Sequence, residues 1–137
     1  RPLPPMPDCF LVLVHAGTKD STGAMYARFD RLAQRPPEAT PRMLEALEQG
    51  TLKRVAGALG NALDGLSNAD VGHKARQLLM EAGALGCNLS GSGPTVYGVF
   101  DCEETARLGV ERCSSAGFAA QLCRPLARGC RLAGKSL

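Results

Sequence analysis

The chain reads as an α+β domain: a four-stranded antiparallel sheet with helices on one face. Three observations lead there. A continuous apolar run, Cys9 to Val14, is followed by a long stretch of helical periodicity. A small-residue loop, Leu89-Ser90-Gly91-Ser92-Gly93-Pro94, then separates a short strand from a β-branched and aromatic run, Thr95 to Phe100. One more helical segment and one more strand close the chain. The order β, a run of α, then β-loop-β-α-β suits helices segregated to one face of an antiparallel sheet.

The elements follow in order. Arg1 to Pro7 holds four prolines and opens without Met; residues 1–8 read as a linker or truncation point, 9–128 as the domain and 129–137 as a frayed tail. Cys9 to Val14 is apolar throughout, as a central strand is. After the polar turn His15 to Asp20, Ser21 or Thr22 caps a helix whose Met25, Phe29 and Leu32 share one side. Thr40, with Pro41 behind it, caps the next helix, and Gly50 stops it. Thr51 begins a third, with Leu52, Val55, Leu59 and Leu63 on one stripe. Gly57 and Gly60 inside it each cost about 1 kcal/mol relative to Ala, which suggests close helix packing, with a break in the helix as the alternative. Val71, Ala75, Leu78 and Leu79 mark a fourth helix, ending at the C′ glycine Gly83. Asp101 and Glu104 have the spacing of a capping box for a helix over 105–116. Phe118 to Leu122 is the last strand.

Composition removes several function classes. The 137 residues suffice for one core, and hydrophobic content is 45% with no Trp, so Leu, Val and Ala build the interior. A net charge of +3 from scattered basic residues argues against nucleic acid. No apolar run approaches the roughly 20 residues that span a bilayer. The six cysteines, at 9, 87, 102, 113, 123 and 130, include no C-x-x-C pair. They read as reduced, mostly buried thiols of a cytosolic protein, and no finger-like spacing suggests a metal.

In the loop Ser90-Gly91-Ser92-Gly93, the glycines permit positive φ and leave no Cβ between backbone and ligand. Successive N–H groups there can form an anion nest. The same spacing describes a plain tight hairpin. Ser21-Thr22 with Tyr26 four residues on reads, by itself, as a helix cap and a half-buried ring. His15, at a strand end, and His73, beside Lys74 and Arg76, read as surface residues without a catalytic partner.

Gly83-Ala84-Leu85-Gly86, followed by Leu89-Ser90-Gly91-Ser92-Gly93-Pro94-Thr95-Val96-Tyr97-Gly98, resembles the third sequence motif of the GHMP kinases. Within them it is most similar to the 4-diphosphocytidyl-2-C-methyl-D-erythritol kinases. The resemblance spans nearly the whole chain but only the C-terminal half of such a kinase, and it implies a ferredoxin-like core with added helices. It also implies an ATP-dependent transfer of the γ-phosphate, with Mg²⁺, to the 2-hydroxyl of a diphosphocytidyl substrate in isoprenoid precursor synthesis. Thr22 and Tyr26 occupy the positions of the polar residue and of the aromatic that sandwiches cytosine in that branch. Ser90, Gly91, Ser92 and Gly93 would line the phosphate side.

Asn61-Ala62-Leu63-Asp64 resembles the family's Asn-Asp-(Leu/Phe)-Glu stretch, but Ala62 lacks the carboxylate and Asp64 replaces Glu; no role is assigned to it. The Pro-x-x-x-Gly-Leu-Gly-Ser-Ser loop and the catalytic Lys and Asp belong to the N-terminal half of the family. No catalytic residue and no metal ligand is therefore expected in these residues, nor is bound ATP or Mg²⁺. The chain alone is expected to be inactive, and to self-associate where the missing N-terminal domain would cover it. The alternatives are a homoserine or mevalonate kinase type, or a stand-alone ferredoxin-like module that binds a ligand or a protein.

Overall fold

The computed structural model describes residues 3–34, 36–67 and 72–126. Four strands, β1 (Phe10–His15), β2 (Gly86–Leu89), β3 (Thr95–Phe100) and β4 (Ala119–Cys123), form one sheet in the order β2-β3-β1-β4. Every neighbouring pair is antiparallel, and β3 lies between β1 and β2, the split arrangement of a ferredoxin-like core. The helices are α1 (Thr22–Asp30), α2 (Thr40–Gln49), α3 (Leu52–Gly57), α4 (His73–Glu81) and α5 (Glu103–Ser115).

The period of two along each strand decides the faces. Val12, Val14, Val96, Phe100 and Leu89 point to one side, where they meet Met25 of α1, Ala75 and Leu79 of α4, and Ala106 and Cys113 of α5. Phe100, Met25 and Leu79 are fully buried; each such side chain contributes about 1.5–3 kcal/mol. Gly98 and Gly109 face Phe100 and Leu79, and a Cβ on either would come within 3.0–3.3 Å of those side chains. On the other face α3 lays Ala56 against Cys9 and Val99, with Leu11, Leu52 and Leu59 packed around them. The helical cover is therefore one-sided for α1, α4 and α5, whereas α3, with α2 packed on it, reaches over one end of the second face.

Several boundaries differ from the sequence reading. Ala39, not Thr40, is the N-cap of α2, and no side chain caps it. The third helix ends at Gly57 rather than continuing to Leu63. Gly60 instead belongs to the following turn, where a Cβ would sit 2.5 Å from the Ala39 Cβ; its smallness serves a close approach, but not within a helix. Asp101 does not cap α5. Cys102 holds that position without a side-chain bond, and the Thr105 hydroxyl donates to the Cys102 carbonyl at 3.1 Å. Glu103 and Glu104 in the first turn suit the positive end of the helix dipole. The Gly83 stop is as expected. Its φ is +104°, its N–H bonds the Met80 carbonyl at 3.0 Å, and Ala84 N–H bonds the Leu79 carbonyl at 3.0 Å, a Schellman closure.

Among the described cysteines, Cys9 and Cys113 are buried, Cys87, Cys102 and Cys123 are half-buried, and all five are free thiols. Among the described residues no helix is long and apolar enough to cross a membrane. Val71, Cys130 and the expected tail from residue 129 lie outside the described residues.

Candidate functional site

The glycine loop joins β2 to β3. Ser90 N–H bonds the Thr95 carbonyl at 2.8 Å and Gly93 N–H bonds the Ser90 carbonyl at 2.8 Å, closing a tight turn. Gly91 at φ +56° and Gly93 at φ +75° supply the left-handed geometry that this turn needs. The two glycines differ in surroundings. A Cβ at Gly91 meets nothing within 4 Å, whereas one at Gly93 would stand 2.9 Å from Leu89 Cδ1.

Two tethers hold the loop from outside. Ala16 N–H donates to the Pro94 carbonyl at 3.1 Å, which binds the loop to the segment leaving β1. From the turn after α3, the Asn61 carboxamide donates to the Leu89 carbonyl at 2.9 Å and the Gly91 carbonyl at 2.7 Å. Its oxygen accepts from Leu63 N–H at 2.9 Å, so one side chain both turns its own segment and fixes the loop. Asp64 completes that segment with a bidentate pair to Arg76 of α4, at 2.7 and 2.8 Å. The bond to Asp64 raises the Arg76 guanidinium further above its ordinary range. Asn61 and Asp64 are thus structural, which accounts for two of the residues of the Asn-Ala-Leu-Asp stretch.

The start of α1 lies against the loop. Ser21 is the cap, its hydroxyl accepting from Ala24 N–H at 3.1 Å, and this leaves the Thr22 hydroxyl free for other work. Thr22 Oγ1 lies 3.1 Å from Ser92 Oγ, and Lys19 Nζ donates to both, at 2.8 Å and 2.6 Å. Arg28 braces the same turn by pairing with Asp20 and donating to the Leu66 carbonyl at 2.9 Å. Tyr26 sits one helical turn beyond Thr22, about 6 Å along the axis, and is 54% exposed. Its ring is therefore available to a ligand rather than committed to the core.

The structure thus brings Thr22, Ser92 and the two loop glycines together, with Tyr26 one turn away. Ser90 contributes through its backbone. His15 lies exposed on the second face, across from Thr95 and Ala119, and His73 is the exposed first residue of α4; neither joins the cluster. Lys19 was not singled out from the sequence. One lysine in a polar turn carries no signal until the fold places it against a loop 73 residues away.

Chemically the cluster is an ammonium, two rotatable hydroxyls and a glycine turn. Such a set is chemically able to hold an anion. Among the described residues no group of three His, Cys, Asp or Glu is placed to hold a metal ion.

Known proteins resemble both the sequence and the fold. Residues 43–119, more than half of the chain, match the family model described as GHMP kinases C terminal. A 4-diphosphocytidyl-2-C-methyl-D-erythritol kinase of Thermoanaerobacter pseudethanolicus is 37% identical over 103 residues, covering 74% of this chain and 36% of that protein. One from Pelotomaculum thermopropionicum is 38% identical over 106 residues, covering 75% and 37%. The chain thus spans little more than a third of the length of these relatives. Among solved structures, L. major mevalonate kinase in complex with R-mevalonate superposes with a TM-score of 0.67 at 20% identity, covering 93% of this chain and 46% of that one. A homoserine kinase from Cytophaga hutchinsonii gives 0.66 at 13% identity, covering 93% and 44%.

Proposed function

The chain belongs to the GHMP kinase family, and from that premise we propose that it is the C-terminal part of a 4-diphosphocytidyl-2-C-methyl-D-erythritol kinase. The full-length protein transfers the γ-phosphate of ATP to the 2-hydroxyl of the diphosphocytidyl substrate, in the cytoplasm, as a step of non-mevalonate isoprenoid precursor synthesis. In this portion Tyr26 stacks on the cytosine and Thr22 supplies an adjoining polar contact, while Ser90 to Gly93 line the phosphate side.

One observation carries the reading. An exposed tyrosine stands one turn from a threonine whose hydroxyl is bonded into the glycine loop. A base stacked on an aromatic gains about 1–3 kcal/mol, and the neighbouring hydroxyls suit phosphate oxygens. The two relatives described above, which bear that kinase name at 37% and 38% identity, support the branch.

ATP and Mg²⁺ belong to the full-length reaction. The hydroxyls and the lysine fit a phosphate, but the cluster offers Mg²⁺ no carboxylate set, so in this reading the metal is held by other parts of the protein. Phosphoryl transfer requires donor, metal and acceptor to be positioned together, and the 137 residues contain no Gly-Leu-Gly-Ser-Ser loop. This chain by itself is therefore inactive; its partners are the N-terminal domain and, when that is missing, further copies of itself, with no nucleic acid and no membrane.

The test is phosphoryl transfer by the full-length protein with Mg-ATP, followed by ³¹P NMR, offering the diphosphocytidyl substrate, homoserine and mevalonate in parallel. A new phosphate monoester on the first alone is the expected result. Transfer to homoserine or mevalonate instead would place the protein in another branch. ATP turnover by the 137-residue chain above a buffer blank would overturn its expected inactivity.

A further inference from the structure

We propose that Lys19 is the residue that holds a phosphate group of a nucleoside diphosphate at this site, with the Thr22 and Ser92 hydroxyls as its co-ligands. The inference rests on the reading of the site as a nucleotide-substrate site, and it assigns the charge which that reading lacks.

Three features of Lys19 lead to it. Lys19 is half-buried and the bonds of its ammonium run to two neutral hydroxyls, at 2.6 and 2.8 Å. Among the described residues no carboxylate stands within ion-pair range of it, and the adjacent Asp20 is turned to Arg28. A lysine held for structure alone would gain more from an acidic partner, since a carboxylate adds the attraction of an opposite charge that a neutral hydroxyl lacks.

The placement of the cluster adds to this. Lys19 and Thr22 come from the segment entering α1, and Ser92 from the glycine turn, so the ammonium lies where the two segments meet. Both hydroxyls can rotate to donate to an added oxygen. Tyr26, which is exposed, lies one helical turn from Thr22, about 6 Å of axial rise. An aromatic face one turn from a cation and two hydroxyls is the layout that a base joined through a sugar to a phosphate demands.

The experiment is isothermal titration of the 137-residue chain at low salt with pyrophosphate, CDP and ADP, using wild type, Lys19→Met, Lys19→Arg and Tyr26→Ala. Amide shifts of the wild type are followed in parallel. Pyrophosphate and CDP should bind, shifting the amides of Lys19, Thr22 and Ser92. Lys19→Met should weaken both at least tenfold and flatten the salt dependence, and Lys19→Arg should keep most of the affinity.

CDP should also bind more tightly than ADP, with Tyr26→Ala removing that preference. If Lys19→Met loses phosphate binding but CDP and ADP bind alike, the lysine inference stands and the cytidine reading falls. If the CDP preference is present and Lys19→Met leaves every affinity unchanged, the cytidine reading stands and this inference is overturned. Wild type that fails to bind pyrophosphate overturns it as well. Should Lys19→Met not fold, the wild-type shift map decides, and shifts centred away from Lys19, Thr22 and Ser92 count against it.

Discussion

Asn61 donates a 2.7 Å hydrogen bond to the carbonyl of Gly91, across 30 residues of sequence. With the second bond to Leu89 and the one it receives from Leu63, this side chain joins the turn after α3 to the glycine loop. Asn61→Ala should lower unfolding free energy by about 1.5–4.5 kcal/mol, from three lost bonds at about 0.5–1.5 kcal/mol each. Local opening of the loop should rise more than global opening. Urea denaturation alongside amide exchange at Gly93 checks this; equal changes everywhere would mean that the bonds brace the fold and not the loop.

The two loop glycines should answer differently to substitution. Gly93→Val should damage stability as well as activity, because the Gly93 Cβ would press on Leu89, which is buried. Gly93→Val should therefore cost about 2–4 kcal/mol as backbone strain and overpacking add. Gly91→Ala meets no atom and should cost only about 1–2 kcal/mol, the strain of a left-handed residue. Thermal melts of the two variants separate these values, and Gly91→Ala is the cleaner variant for kinetics in the full-length protein.

Tyr26→Ala should leave stability within about 0.5 kcal/mol, since the ring is mostly outside the core. In the full-length kinase it should raise KM for the cytidine substrate while leaving KM for ATP nearly unchanged. Ser92→Ala should act on the phosphate side and more mildly, by roughly 0.5–1.5 kcal/mol for one hydroxyl bond. Steady-state kinetics with each substrate varied in turn would expose a common effect on both constants, which would sink the division of roles.

Alkaline pH should destabilise the fold. Burial pushes the Cys87 thiol up to about 11, against the opposing influence of Arg76, and burial also raises Cys9, Cys113 and Tyr97. These groups are neutral when protonated and bind their protons more tightly in the folded state. Unfolding free energy therefore falls as pH climbs through the window from the ordinary thiol value toward 11. Urea midpoints under reducing conditions between pH 8 and about 11 should decline, and Cys87→Ala should decline less. An unchanged slope in that variant would acquit this thiol.

What was legible in the sequence follows the range of the forces involved. β1 and β3 announce themselves through consecutive β-branched and aromatic residues, and Gly83 through its stop after a periodic helix. Those are local signals. The end of α3 was misread because Leu59 and Leu63 keep the helical spacing after the helix has stopped at Gly57. Caps were misplaced by a residue at Ala39 and Cys102, neither of which has a side-chain cap bond to betray it. Of the candidate site, Thr22, Tyr26 and the loop came from resemblance. Lys19 and Asn61 act through contacts 73 and 30 residues distant, and no local pattern encodes such pairs.

The position of β1 at the heart of the sheet bears on how the chain folds. Its partners are β3 and β4, with Phe10 opposite Phe100 and Leu11 opposite Cys123. Among the four strands of this sheet, the first to be synthesised is thus the one that must wait longest for a neighbour. Closing loops of that length before any pairing is rewarded slows folding. Throughout that delay an apolar strand is without either edge partner, and such species associate readily. Cooler expression, or a chaperone present during synthesis, should raise the yield of folded protein more than any change to the finished surface.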